Sequence, residues 1–139
     1  MILLDTGGLI AALDRAERLN EAARAALEAD PGPLILSPFV LAETDYLLTR
    51  NLGAKFALEL LRQVGAGTYE LAHLESEDVV SALAVIEQYA DLRIGVTDAS
   101  IVVLAERYGT DRVLTLDERH FRALRTLDGR PFTLLPADS

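Results

Sequence analysis

Four short apolar runs, Ile2-Leu3-Leu4, Leu34-Ile35-Leu36, Tyr69 to Leu74 and Val113 to Leu116, are separated by stretches whose apolar residues recur at helical spacing. A fifth run, Phe132 to Leu135, follows the last of these stretches. Continuous apolar runs of this length suit strands buried on both faces. Strands that alternate with helices pair in parallel, because each helix carries the chain back to the edge where the previous strand began. The expectation is an α/β fold with a mainly parallel sheet of four to five strands. With 139 residues and no repeat or linker, the chain reads as a single domain, 1–139, able to bury a core without cross-links.

The helices are punctuated in familiar ways. A first one is expected around Leu9 to Leu13, after the turn Asp5-Thr6-Gly7-Gly8. Asn20 reads as the N-cap of a second that Pro31-Gly32-Pro33 ends, and Ser37-Pro38 as the start of a third running to Arg50. Ala54 to Val64 makes a fourth. The acids at Glu75, Glu77 and Asp78 load the first turn of a fifth, with Val79, Val80, Leu83, Ile86 and Tyr89 on one side. Thr97 reads as the cap of a helix from Asp98 to Tyr108 that Gly109 closes, and Glu118 to Leu124 as a short last helix.

Four carboxylates interrupt this apolar grammar: Asp5 after the first strand, Glu43 within Phe39-Val40-Leu41-Ala42-Glu43, Asp98 at a helix start, and Asp117 after the fourth strand. Each alone has a structural explanation. Asp5 could serve a turn, Asp98 a first helical turn and Asp117 an N-cap, whereas Glu43 on an inward helix face would need a partner. In a parallel sheet, however, the loops after the strands gather on one edge, so the acids can share a crevice. Like charges in one pocket repel unless a cation holds them. Oxygen donors select Mg²⁺ or Mn²⁺ over zinc, and such a site performs hydrolytic phosphoryl chemistry.

The chain has no cysteine, which excludes disulfides, thiolate zinc and cysteine nucleophiles and fits a reducing cytoplasm. No apolar run approaches membrane-spanning length, and no targeting segment is read at Met1, so a soluble cytoplasmic protein is expected. The net charge of -9 argues against a general nucleic-acid coat protein. The last third is nearly balanced, though, and its seven bases are all arginine. Arg93, Arg119 and Arg122 are the expected phosphate contacts. His73 and His120 read as helix-surface or core residues, His120 being the one expected nearer the acidic site.

The ordered set Leu4-Asp5-Thr6, Ser37-Pro38 with Leu41-Ala42-Glu43, Tyr89-Ala90-Asp91-Leu92-Arg93 leading to Thr97-Asp98-Ala99-Ser100, and Leu114-Thr115-Leu116-Asp117-Glu118-Arg119-His120-Phe121 resembles the PIN-domain ribonucleases, in particular the VapC-type toxins of toxin–antitoxin pairs. The resemblance covers the whole chain. It implies a three-layer α/β/α fold and an endoribonuclease cutting single-stranded RNA. Asp5 and Asp98 are then direct Mg²⁺ ligands, Glu43 and Asp117 act partly through water, and Thr6 and Thr115 bond and orient the carboxylates. Asp91 is structural, and Gly7-Gly8 is a flexible variant of the turn. A homodimer and a cognate antitoxin whose tail enters the acidic groove are implied too. The surplus apolar residues Leu47, Leu48, Phe56, Leu60 and Leu61 suggest where that antitoxin docks.

Rival classes fit less well. A haloacid-dehalogenase-type phosphatase needs a second aspartate where Gly7 stands. A receiver domain needs a lysine after its last strand, and the only lysine is Lys55. A PIN-like interaction module that has lost activity would lack an acid, and all four are present.

Overall fold

The computed structural model describes residues 1–139. Its strands are β1 (Ile2–Leu4), β2 (Leu34–Leu36), β3 (Glu70–Leu71), β4 (Arg112–Leu114) and β5 (Thr133–Leu135). Its helices are α1 (Thr6–Leu13), α2 (Asn20–Ala29), α3 (Pro38–Asn51), α4 (Ala54–Gly65), α5 (Ser76–Gln88), α6 (Val96–Tyr108) and α7 (Glu118–Ala123). The strands form one sheet in the order β3-β2-β1-β4-β5, and every pairing is parallel. Leu3 of the central strand lies opposite both Ile35 and Val113. With helices on both faces, β1 is sealed: Ile2, Leu3 and Leu4 are fully buried.

That strand order has a functional consequence. The chain leaves β1 toward β2 and β3, then returns past it to β4 and β5, so the direction of winding reverses between β1 and β4. Right-handed crossovers put the two sets of connections on opposite faces, and a crevice opens where the loops after β1 and β4 part. α1 packs on α2 and α3, α3 on α4, and α5 on α6, while α3 also touches α6.

The structure departs from the sequence reading at several points. β3 is two exposed residues rather than Tyr69 to Leu74, since this edge strand has β2 as its only partner. β4 ends at Leu114 instead of Leu116, because Thr115 turns its hydroxyl to accept from the Asp117 amide at 2.9 Å. Asn20 does not cap its own helix. Leu19 holds that position, and the Asn20 amide group donates to the carbonyls of Ala11 and Ala12, satisfying the end of α1. Thr97 lies inside α6, whose cap is Gly95.

α5 is turned differently from the predicted stripe. Ala82 and Val85 are buried, whereas Val79, Val80 and Leu83 are exposed at 45%, 66% and 52%. Gly8 is more than a flexible turn residue: a Cβ there would lie 2.3 Å from the Leu114 carbonyl oxygen, so glycine lets α1 rest directly on β4. At Gly7 the nearest atom would be 3.8 Å away, and an ordinary side chain fits.

Candidate active site

Asp5, Glu43, Asp98 and Asp117 all line one cleft of about 660 Å³, together with Thr6, Thr97, Leu47, Leu116 and His120. Each arrives from a different segment. Asp5 is the N-cap of α1, directly after β1, and its amide donates to the Leu114 carbonyl at 3.0 Å. Asp98 occupies the first turn of α6. Asp117 caps α7 by accepting from the His120 amide at 3.0 Å, so it is both a helix cap and a wall of the cleft. Glu43 reaches the cleft from α3, but not along a buried face. Glu43 is exposed and Tyr46 beside it is 61% exposed, which makes Glu43 a rim residue.

Asp5 is the deepest of the four, only 6% exposed. Burial raises its carboxyl to about 6 from 3.8, and the charges of Asp98 and Asp117 push the same way. Opposing them, the Thr115 hydroxyl donates to Asp5 Oδ2 at 2.6 Å, and the Thr6 amide also favours the ionised form. Thr115 thus spans two acids, donating to Asp5 while accepting from the Asp117 amide. Asp98 is raised as well, mainly by burial and then by the charges of Asp117 and Glu43, with His120 opposing.

His120, expected on a helix surface or in the core, stands in the cleft. Its Nδ1 lies 2.9 Å from Asp117 Oδ2 and 3.4 Å from Asp98 Oδ2, yet is aligned for a hydrogen bond with neither. The available signal was its place three residues after Asp117 on the first turn of a helix. The Thr6 hydroxyl is likewise buried without a partner, so it bonds none of the carboxylates.

These features meet the requirements of a cation site. Ligand atoms of Asp98, Asp117 and His120 lie within 4.8 Å of one another. Asp5 is costly to ionise without compensation, and two buried polar atoms lack partners. Carboxylates supplemented by one imidazole suit a hard or borderline divalent ion.

The seven arginines of the last third separate clearly. Arg107 is held by Asp78, Arg112 by Asp30, and Arg130 by Asp128 and Asp111. Arg122 grips Asp138 with both terminal nitrogens, at 2.9 and 2.6 Å, and Glu118 at 3.0 Å. Arg125 donates to the carbonyls of Arg122 and Leu124. Of the seven, only Arg93 and Arg119 keep side chains without a hydrogen bond or ion pair. Arg93 adopts a left-handed backbone, φ 55°, two residues before Gly95 of the cleft.

The surface expected to receive an antitoxin is also divided. Leu48 and Leu60 are core residues, each 1% exposed, and Leu47 lines the cleft. Phe56 and Leu61 are exposed, joined by Leu58 on the same helix.

The PIN domain family model matches residues 2–127. The chain is 40% identical over 135 residues to Ribonuclease VapC26 of Mycobacterium tuberculosis, covering 97% of this chain and 100% of that protein. Among solved structures, it resembles VapC20 of Mycobacterium tuberculosis, a Sarcin-Ricin loop cleaving toxin. The TM-score is 0.78 and the identity 19%, over 84% of this chain and 90% of that one. A toxin-antitoxin complex from Klebsiella pneumoniae matches with a TM-score of 0.67 at 18% identity, over 89% of this chain and 92% of that one. The last two likenesses carry the fold.

Proposed function

The chain belongs to the PIN-domain family, and from that premise we propose that it is a metal-dependent endoribonuclease, the toxin of a toxin–antitoxin pair, with Asp5, Glu43, Asp98 and Asp117 as its catalytic carboxylates. The observation that carries this reading is the convergence of four acids from four separate segments in one cleft at the point where the sheet's winding reverses. Asp5 and Asp98 are the proposed direct ligands of Mg²⁺ or Mn²⁺, with Glu43 and Asp117 acting partly through water. The position of His120 Nδ1 adds an imidazole to that set. When bound, the ion offsets charge on the scissile phosphate and makes water more acidic.

The protein's own groups do the rest. Thr115 fixes the rotation of the Asp5 carboxylate through a 2.6 Å bond, and through the Asp117 amide it ties the α7 turn to the same point. Arg93 and Arg119, unengaged and close in sequence to the cleft, are the proposed contacts for the phosphates of a single-stranded RNA substrate. Arg122, already neutralised by Asp138 and Glu118, is the weakest member of that track.

A homodimer needs exposed apolar surface, and Val79, Val80 and Leu83 of α5 supply it. The antitoxin is proposed to dock over Phe56, Leu58 and Leu61 and to send a basic tail into the acidic cleft, an arrangement that complementary charge favours. No helix is long and apolar enough to cross a membrane. The proposed site of action is the cytoplasm, where cellular RNA is met.

The test is cleavage of a single-stranded RNA by the purified protein with Mg²⁺ or Mn²⁺, with EDTA, and in Asp98→Asn. Cleavage that needs the ion and vanishes in a folded variant supports the reading. An inert wild-type protein under all ion conditions supports the inactive-module alternative instead.

A further inference from the structure

Two helices that carry opposing acids of the cleft are joined by a buried chain of hydroxyls. Ser37, the N-cap of α3, and Ser100, in the first half of α6, are each 1% exposed, and their Oγ atoms lie 2.8 Å apart. The direction of every bond follows from the supply of protons. Ser100 spends its only hydroxyl proton on the Thr97 carbonyl, at 2.6 Å, so toward Ser37 it can only accept. Ser37 must therefore donate to Ser100, while its oxygen accepts from the Phe39 amide at 3.2 Å. The sequence of bonds runs one way, from the first turn of α3 through both hydroxyls to a first-turn carbonyl of α6.

That carbonyl belongs to the residue immediately before Asp98, and Thr97 itself lines the cleft. On the other side, Ser37 begins the helix that presents Glu43. We propose that Ser37 and Ser100 are positioning residues of the metal site, setting the separation of α3 and α6 and so the placement of Glu43 relative to Asp98. The proposal rests on reading the cleft as a divalent-metal site. Neither hydroxyl lines the cleft, so the pair acts on the ion only through the two helices it joins.

Ser100→Ala removes the bridge and the Thr97 bond but spares the Phe39–Ser37 cap, so the bridge is the one loss it shares with Ser37→Ala. Ser37→Ala removes bridge and cap together. Ala26→Gly in α2, which loosens a helix interior away from α3 and α6, sets the baseline for a loss of stability alone. The measurement is calorimetric titration with Mn²⁺ of the folded protein without RNA, followed by the Mn²⁺ concentration giving half-maximal cleavage.

The expected result is an affinity about tenfold weaker in Ser100→Ala and in Ser37→Ala, with Ala26→Gly unchanged. The double variant should lose less affinity than the two single losses added together, since both substitutions break the same bridge. Cleavage should recover as Mn²⁺ is raised. If alanine at 100 prevents folding, Ser100→Cys, which keeps the volume and loses most of the hydrogen bonding, carries the same expectation. Folded Ser100 variants that bind Mn²⁺ as the wild type does overturn the proposal, as does a loss equalled by Ala26→Gly. A wild-type protein that takes up no Mn²⁺ fails in a different arm of the experiment and overturns the metal reading itself.

Discussion

Asp5→Asn should make the metal-free protein more stable at neutral pH, although it removes one of the proposed catalytic carboxylates. The Asp5 carboxyl is raised from 3.8 to about 6, chiefly by burial, with Asp98 and Asp117 adding to the effect and Thr115 opposing it. A raised value means that the folded protein holds the proton more tightly than the unfolded chain does. Its stabilising contribution is therefore complete below the unfolded value and is lost as pH rises through about 6. The difference between 3.8 and about 6 corresponds to about 3 kcal/mol. Against a total of roughly 5–15 kcal/mol for a domain, that is a large share.

Asparagine keeps the shape of the side chain and an oxygen for the Thr115 hydroxyl, but has no proton to lose. Urea unfolding in EDTA, run for both proteins from about pH 4 to about pH 8, reads the difference directly. The variant's advantage should grow by about 1.4 kcal/mol per pH unit across the lower part of that range and level off near about 3 kcal/mol. A gap that stays constant with pH, or a variant no more stable at the alkaline end, would refute the account of Asp5 as a charge buried at a cost.

Mg²⁺ should raise the melting temperature of the wild type by mass action, worth about 2.7 kcal/mol at a hundred times Kd, and by less in Asp98→Asn; an equal response in both means the ion binds elsewhere. Gly8→Ala should destabilise by about 1–3 kcal/mol through its clash with the Leu114 carbonyl while Gly7→Ala is tolerated, and comparable urea midpoints for the two would contradict the close packing of α1 on β4. Arg119→Gln and Arg93→Gln should weaken single-stranded RNA binding and flatten its dependence on salt, by about 0.7 in log–log slope for each phosphate no longer neutralised, with Arg122→Gln affecting it least. Wild-type slopes in the first two would move the RNA to another surface. Leu61→Asp should abolish antitoxin capture without unfolding the protein, which a melt and a pull-down on the same preparation decide together; full capture by the folded variant rejects that placement.

Much of the fold was legible because the inner strands of a parallel sheet are largely apolar. Ile2 to Leu4 and Leu34 to Leu36 form where expected, and the run from Phe132 to Leu135, read as an optional fifth strand, forms as Thr133 to Leu135. The four acids were legible for the opposite reason, being polar where apolar residues were due. What escaped was information held in three dimensions. The side of α5 facing the core is decided by how closely α6 approaches, so small Ala82 goes inward while Val80 and Leu83 stay out. Asn20 has the composition of a cap but serves the end of a different helix. Arg122 and Arg119 look alike in sequence, and only the fold brings Asp138 to one and leaves the other unengaged. Ser37 reads as a cap and nothing more until α6 is laid against it.

Because β4 lies inside the sheet between β1 and β5, the cleft cannot be assembled progressively from the amino end. During synthesis Asp5 and Glu43 emerge early, but the Thr115 hydroxyl that orients Asp5, and Asp117 itself, come more than a hundred residues after Asp5. The β5 strand that covers the outer edge of β4 comes later still. Until the segment carrying Thr115 and Asp117 is in place, Asp5 has neither its hydroxyl donor nor the full set of carboxylates around it, so a fragment that stops short of that segment should have no metal site.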